Sequence, residues 1–491
     1  MRRTLVAAAL VVLSAGACSP GDPPGDPAGE RPRDPSSSGP RLSWQECPGQ
    51  VTISVTTPHR CGTLTVPVDH RDAEGPVLGL EVVQAWPVGE EPPAEAAASV
   101  GFNAGEPAHE PGLMSLLAER LGVAVVSVAP RGVGPGGGLA LDCTEAAGLG
   151  AVAAPEPDDA GRDRFVAAVK ACRERLVGGG VDLSLFGPDD VVADLEALRS
   201  ALGVDRWHAL VTYGDMAAVS DRFASAYPDR VRAVVKDSPG AVDTGPHAKG
   251  AEGTRSALAA LFDECREDPR CATRYPDLER SWQQALDRAA ARPLLGRADR
   301  GEVRVDAPRL LRAVRAMLGG DGPTYVEDLP RVITTAAGGE VHPTLARVVA
   351  SDPDHCLGHR PLCTKPGFSL GAYLSQVCPD LRSGRAPRET EPVYQEVFGD
   401  SPYVEACAVW DVPATEPVTE SARVPTLVLT GHLDSWSRAE WFDGAVSVRG
   451  ATHDVAGSHP CVLAIRNPWV ADPTTAPDAS PCDATPFPAW D

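Results

Sequence analysis

The chain has 491 residues, enough for two or three domains or for one elaborated α/β domain with a large core. Its 45 Lys and Arg stand against 67 Asp and Glu, a net charge of -22, which opposes long-range attraction to phosphate backbones and anionic lipid. No nucleic-acid partner is expected.

The opening "MRRTLVAAALVVLSAGAC" sets Arg2 and Arg3 before an apolar run, Leu5 to Leu13, and a small-residue stretch ending at Cys18. This is the pattern of an export signal over 1–18, too short to span a bilayer as a mature anchor. "AGAC" looks like a bacterial lipobox, which makes a lipid on Cys18 the expected membrane link; Ala15 stands where Leu is usual, so simple secretion stays open. Residues 19–40, rich in Pro, Gly, Ser and charge, lack the apolar residues of a core and read as a flexible tether.

Beyond Cys18 there are twelve cysteines and no Cys-x-x-Cys pair, so in an exported chain disulfides are expected rather than zinc. Local proximity suggests Cys47 with Cys61, Cys143 with Cys172, Cys265 with Cys271, Cys356 with Cys363, and Cys461 with Cys482, leaving Cys378 with Cys407. Spacing alone does not choose among the other connectivities.

Short apolar runs at Leu80–Val88 and Ala97–Phe102 precede "LGVAVVSVAPRGVG", a β-branched strand that ends in a Gly/Pro loop. "PDDVVADLEALRSALGV" opens with a helix-start signal and places Val191, Leu195, Leu198 and Leu202 at helical spacing. A strand over 207–211, a helix over 214–226 and a strand in "DRVRAVVKDSP" then alternate as in a doubly wound, mostly parallel sheet. From about 246 to 372 amphipathic helices dominate ("TRSALAALFDECR", "LERSWQQALDRAA", "APRLLRAVRAML"), which predicts a helical lid insertion between core segments 41–245 and 373–491. "VPTLVLTGHLD" restores the buried strand, and "AVSVRGATH" supplies a last short one.

Ligands of such sheets bind beyond the carboxyl ends of the strands. A hydroxyl, a carboxylate and an imidazole occur there in the order Thr212, Asp434, His453, the chain order of an α/β-hydrolase triad. A hydroxyl attacks a carbonyl only when a base accepts its proton, and the imidazole needs a carboxylate to hold its tautomer. Backbone N–H groups at Gly105 or Glu106 and at Tyr213 are the candidate oxyanion donors. Thr212 could instead simply cap the following helix, and His459 competes with His453. The residues carry no signal for a cofactor or a metal.

"DLEALRSALGVDRW", "AYPDRVRAVVKDSP", "VPTLVLTGHLD" and "GATHDVAGSHPC", in that order, resemble segments of the α/β-hydrolases that include exported actinobacterial prolyl and tripeptidyl aminopeptidases, over roughly residues 42–491. The resemblance implies a hydrolase of short peptide amides or esters and assigns the acid to Asp434 and the histidine to His453. "QVCPD" and "ACAVWDV" resemble a paired-cysteine segment near the lid of that family and support Cys378 with Cys407. This chain departs from the pattern at the elbow, where Leu210-Val211-Thr212-Tyr213-Gly214 stands for Gly-x-Ser-x-Gly, and at the oxyanion loop, where Gly105-Glu106-Pro107-Ala108 places a carboxylate. The interval between Asp434 and His453 is short, which predicts a reduced last helix. The departures raise the alternative of a non-catalytic homologue that binds peptides or small ligands at the cell surface.

Overall fold

The structure, a computed structural model, describes residues 40–47, 57–89, 96–100, 111–134, 139–146, 159–240, 249–299, 301–319, 326–351, 368–381, 389–399, 402–416, 418, 423–455, 459–483 and 490. The expected signal, most of the tether, Gly105, Glu106, Cys356 and Cys363 lie outside them.

Among the described residues nine strands form one sheet in the order β1-β2-β3-β5-β4-β6-β7-β10-β11. They are β1 (Arg41–Gln45), β2 (His59–Pro67), β3 (Val77–Ala85), β4 (Ala96–Val100), β5 (Ala124–Val128), β6 (Leu210–Tyr213), β7 (Val234–Asp237), β10 (Thr426–Gly431) and β11 (Val446–Val448). The pairs from β1 through β3 to β5 are antiparallel, and those from β5 to β11 are parallel. The parallel strands carry continuous apolar runs because both faces are covered; every residue of β5, β6 and β7 is buried. β1 and β2, which have no such run and escaped the sequence analysis, alternate inward and outward side chains at the antiparallel edge.

Helices α1 (Pro111–Leu121), α2 (Asp159–Gly178), α3 (Pro188–Leu202) and α4 (Ala217–Ala226) lie between the strands in sequence. α3 begins with Pro188 in its first turn beside Asp189 and Asp190, and stops where Gly203 takes φ 71° and its N–H bonds Arg199 O. It is fixed to the loop after β5 by a buried ion pair. Arg131, fully enclosed, reaches Asp194 with Nε at 2.8 Å and Nη2 at 2.7 Å, and donates to the carbonyls of Val68 and Leu185.

Between β7 and β10 run α5 (Gly250–Glu267), α6 (Leu278–Ala291) and α7 (Ala307–Leu318), which contain the three helices predicted there. A hairpin, β8 (Leu294–Ala298) with β9 (Gly301–Val305), departs from the helical expectation; alternating burial along "LLGRA" and "GEVRV" leaves one face exposed, so neither strand needs an apolar run. This segment has its own apolar cluster, which includes Leu258, Leu286, Leu311 and Leu318 and takes in Leu433 from the loop after β10. α8 (Leu370–Leu381) crosses the expected boundary at 372 and, with α9 (Pro402–Trp410), packs into the cluster under the sheet.

Among the described residues five disulfides join Cys47 with Cys61, Cys143 with Cys172, Cys265 with Cys271, Cys378 with Cys407, and Cys461 with Cys482. Four of these are pairings that local proximity suggested, Cys378 with Cys407 is the pair left over and supported by the resemblance, and together they suit an extracellular environment. Among the described residues no helix is long and apolar enough to cross a membrane.

Candidate active site

β10 delivers Asp434 and the loop after β11 delivers His453, and the fold brings the two together: His453 Nδ1 lies 2.9 Å from Asp434 Oδ2. Asp434 is fully buried, and its other oxygen accepts the backbone N–H of Trp436 at 2.7 Å and of Ser437 at 3.1 Å. The carboxylate is thus aimed at the imidazole by its own loop. Burial weighs against the imidazolium, but Asp434 by charge and hydrogen bond, together with the carboxylates of Asp454 and Asp237, outweighs that and pushes the His453 pKa up to about 9. With 25 % of the His453 side chain exposed, a ligand can reach the ring.

The short interval between acid and base is explained by its contents. Only the 3-10 turn Ala439–Trp441 separates β10 from β11, so the predicted reduction of the last helix is observed. Gly431 makes the close approach possible, because a Cβ there would collide with the carbonyls of Ala451 and Thr452. The histidine loop is also held from β7: Ser238 Oγ accepts Asp454 N–H, and buried Asp237 Oδ1 accepts Val455 N–H, both at 3.0 Å. Asp237 and Ser238 were not singled out from sequence, although a polar Asp-Ser-Pro at the end of an apolar run was the available signal.

Thr212 is placed differently from expectation. It lies inside β6, in register with Val100 and Lys236, and is fully buried. Its Oγ1 meets Ser220 Oγ at 3.3 Å and the Val235 carbonyl at 3.5 Å, so the hydroxyl is engaged within the sheet-helix packing and not with His453. The strand runs two residues further because Thr212 and Tyr213 both favour extended backbone, and the sharp turn falls on Gly214, with φ 50°. A residue without a side chain therefore stands at the strand-to-helix turn. Tyr213, whose backbone N–H was the expected oxyanion donor, likewise lies in the strand before the turn, with its ring buried. Nor does Thr212 cap the helix, which starts with the 3-10 turn Gly214–Met216 followed by α4. His459, the competing histidine, is set apart by its contact with Cys461 Sγ at 3.0 Å, and that sulfur is already in a disulfide.

The turn and the dyad share one end of the sheet. Gly240 N–H donates to Gly214 O at 3.1 Å, which joins the turn to the segment after β7 that holds the histidine loop. A cleft of about 720 Å³ lies at the opposite ends of the strands, bordered by Asp205, Arg206, His208, Arg232 and Asn467, away from this chemistry.

The strand order, with its reversal at β5 and β4, and an acid and histidine beyond the last two strands define an α/β-hydrolase fold. No family model matches the chain, and no match was found among curated proteins. Among solved structures it is similar to a proline iminopeptidase from Mycobacterium smegmatis, with 14% identity, 83% of this chain and 97% of that chain covered and a TM-score of 0.35. It is likewise similar to a carboxylesterase from Bacillus subtilis, at 11% identity, coverage of 80% and 87%, and a TM-score of 0.32. For an α/β-hydrolase fold protein from Chitinophaga pinensis the figures are 10%, 89% and 98%, and 0.32.

Proposed function

We propose that the chain is an exported α/β-hydrolase-fold protein that binds a short peptide or a small ester or amide over the His453–Asp434 pair without forming an acyl-enzyme on Thr212. The observation that carries this reading is the elbow: the turn residue is Gly214, while the hydroxyl of Thr212 is enclosed in the sheet. An acyl-enzyme needs an oxygen that can reach both a base and a carbonyl, and Thr212 Oγ1 meets neither condition. The helical segment between β7 and β10 would serve as the lid, with bidentate Arg449 to Glu264, at 3.0 and 2.7 Å, tying α5 to the strand that leads to His453. Export through residues 1–18, and a lipid on Cys18 as the membrane link, complete the proposal.

The test is fluorophosphonate labelling of the purified chain, read by mass spectrometry. An unlabelled peptide around Thr212 and ligand affinity unchanged in Thr212→Ala support the proposal. An adduct on Thr212, or hydrolysis abolished by that substitution, would refute it.

The intact acid-histidine pair favours a second reading, a peptidase-like or esterase-like hydrolase in which His453 activates water directly. Such turnover requires neutral imidazole, so its rate would climb as the pH approaches 9, whereas the binding protein shows no turnover at any pH.

A further inference from the structure

Arg315, on α7, is buried, with 4 % of the residue exposed, and its Nε has no hydrogen-bond partner. Of the other deeply buried arginines, Arg131, Arg199, Arg222 and Arg438 each meet a carboxylate, respectively from Asp194, Glu196, Asp380 and Glu440, while Arg466 donates from Nε to the Asn467 side-chain oxygen. Among the described residues no acidic side chain forms an ion pair with Arg315. It is instead stacked over Trp436, 3.6 Å from the ring centroid, with Phe398 at 4.9 Å. Aromatic faces attract a cation, but they do not replace its lost hydration or satisfy its in-plane N–H donors.

Trp436 also neighbours His453, with 6.4 Å between ring centroids. One indole is thus flanked by Arg315 and by the histidine of the dyad. The placement is constructed from both sides: Ser435 Oγ donates to the Arg315 carbonyl at 3.1 Å, and Gly319, at the end of α7, leaves room for the indole, since a Cβ there would strike Trp436 Nε1.

We infer that Arg315 and His453 together bind the carboxylate of a small anionic ligand, such as the C-terminus of a short peptide, with Trp436 as the floor between them. His453 already faces the carboxylate of Asp434 and feels those of Asp454 and Asp237, so the group still lacking an anionic partner is Arg315, whose Nε is unmatched. The planar fork of arginine pairs with a carboxylate through two parallel N–H donors. The chain's net charge of -22 repels anions at long range, which makes a local positive site selective for a ligand that fits it. This inference rests on the ligand-binding reading above and adds the class of ligand.

The test uses the full chain with N-acetyl-alanyl-alanine, its C-terminal amide and inorganic phosphate, measured by calorimetry and by thermal shift. The acid is expected to bind at least tenfold more tightly than the amide, and phosphate to bind more weakly than the acid. Arg315→Met should abolish the preference for the acid and, by removing an uncompensated buried charge, raise the melting temperature of the free protein. Arg315→Lys, which keeps the charge and loses the fork, should weaken binding of the acid while preserving the fold. Equal affinity for acid and amide, no binding of the acid in the millimolar range, tighter binding of phosphate, or a preference that survives Arg315→Met overturns the inference. Acyl labelling of Thr212 would instead refute the functional reading, and the two failures are read by different measurements.

Discussion

His453 keeps a proton at neutral pH because Asp434 is both buried and oriented by the backbone N–H groups of Trp436 and Ser437. Asp434→Asn removes that charge while leaving the shape, so the His453 pKa should fall from about 9 to below the ordinary histidine value, since the opposing effect of burial remains. Proton NMR titration of the His453 ring checks this; a pKa still near 9 would show that Asp454 and Asp237 govern it. Thr212→Val deletes a buried hydroxyl with two long contacts, and about 1 kcal/mol of stability is expected to go with it, read by urea denaturation. Gly214→Ser installs a hydroxyl at the turn and is expected to create fluorophosphonate labelling at that residue. If the variant folds and stays unlabelled, His453 does not serve the turn as a base.

At the scale of elements, close approaches of backbone and ring decide whether the site exists. Gly431→Ala would drive the backbone at Ala451 and Thr452 away from β10 and so separate His453 from Asp434. The expected result is a destabilised fold, by about 2–4 kcal/mol in keeping with overpacking and a lost buried contact, together with an ordinary His453 titration. The ion pair between Arg131 and Asp194 joins the loop after β5 to α3 with both charges enclosed. Removing one partner, as in Asp194→Ala, leaves buried Arg131, of its carboxylate contacts, only the longer one to Asp190 at 3.7 Å and should cost about 3 kcal/mol, measurable as a lowered denaturation midpoint with an unchanged slope. The elements themselves were largely legible: buried runs gave the parallel strands, the start of α3 followed from Pro188, Asp189 and Asp190, and α7 followed from its amphipathic spacing. β8 and β9 were not, since alternation over five residues also occurs in loops and pairing supplies the rest. Arg315 left a trace that could have been read: with Leu311, Val314 and Leu318 it falls on the i, i+3, i+4, i+7 stripe of α7, where an arginine is out of place.

For the whole molecule, the raised His453 pKa sets a pH window. A folded value of about 9 against the ordinary 6.5 means that folding favours the protonated ring. The resulting stability is fully present below about 6.5 and is lost as the pH rises from there through 9. Melting temperature is expected to fall across that interval, and the fall should shrink in His453→Gln.

Spacing of apolar residues determined, without any coordinates, that a parallel sheet with crossing helices would form, because burial on two faces demands continuous runs and burial on one demands a helical stripe. Local spacing of cysteines was enough to suggest four disulfides that the structure contains, because short loops bring thiols together with little entropy to lose. Position beyond buried strands put forward Asp434 and His453, and the family resemblance preferred His453 to His459. Only the tertiary structure decided that Thr212 lies within the ladder and Gly214 at the turn, for residues that favour extended backbone become strand only where neighbours such as Val100 and Lys236 supply the ladder. The same holds for Arg315: its sequence neighbours make a helix, but its place over Trp436 arises from the packing of α7 on the loop that carries Asp434.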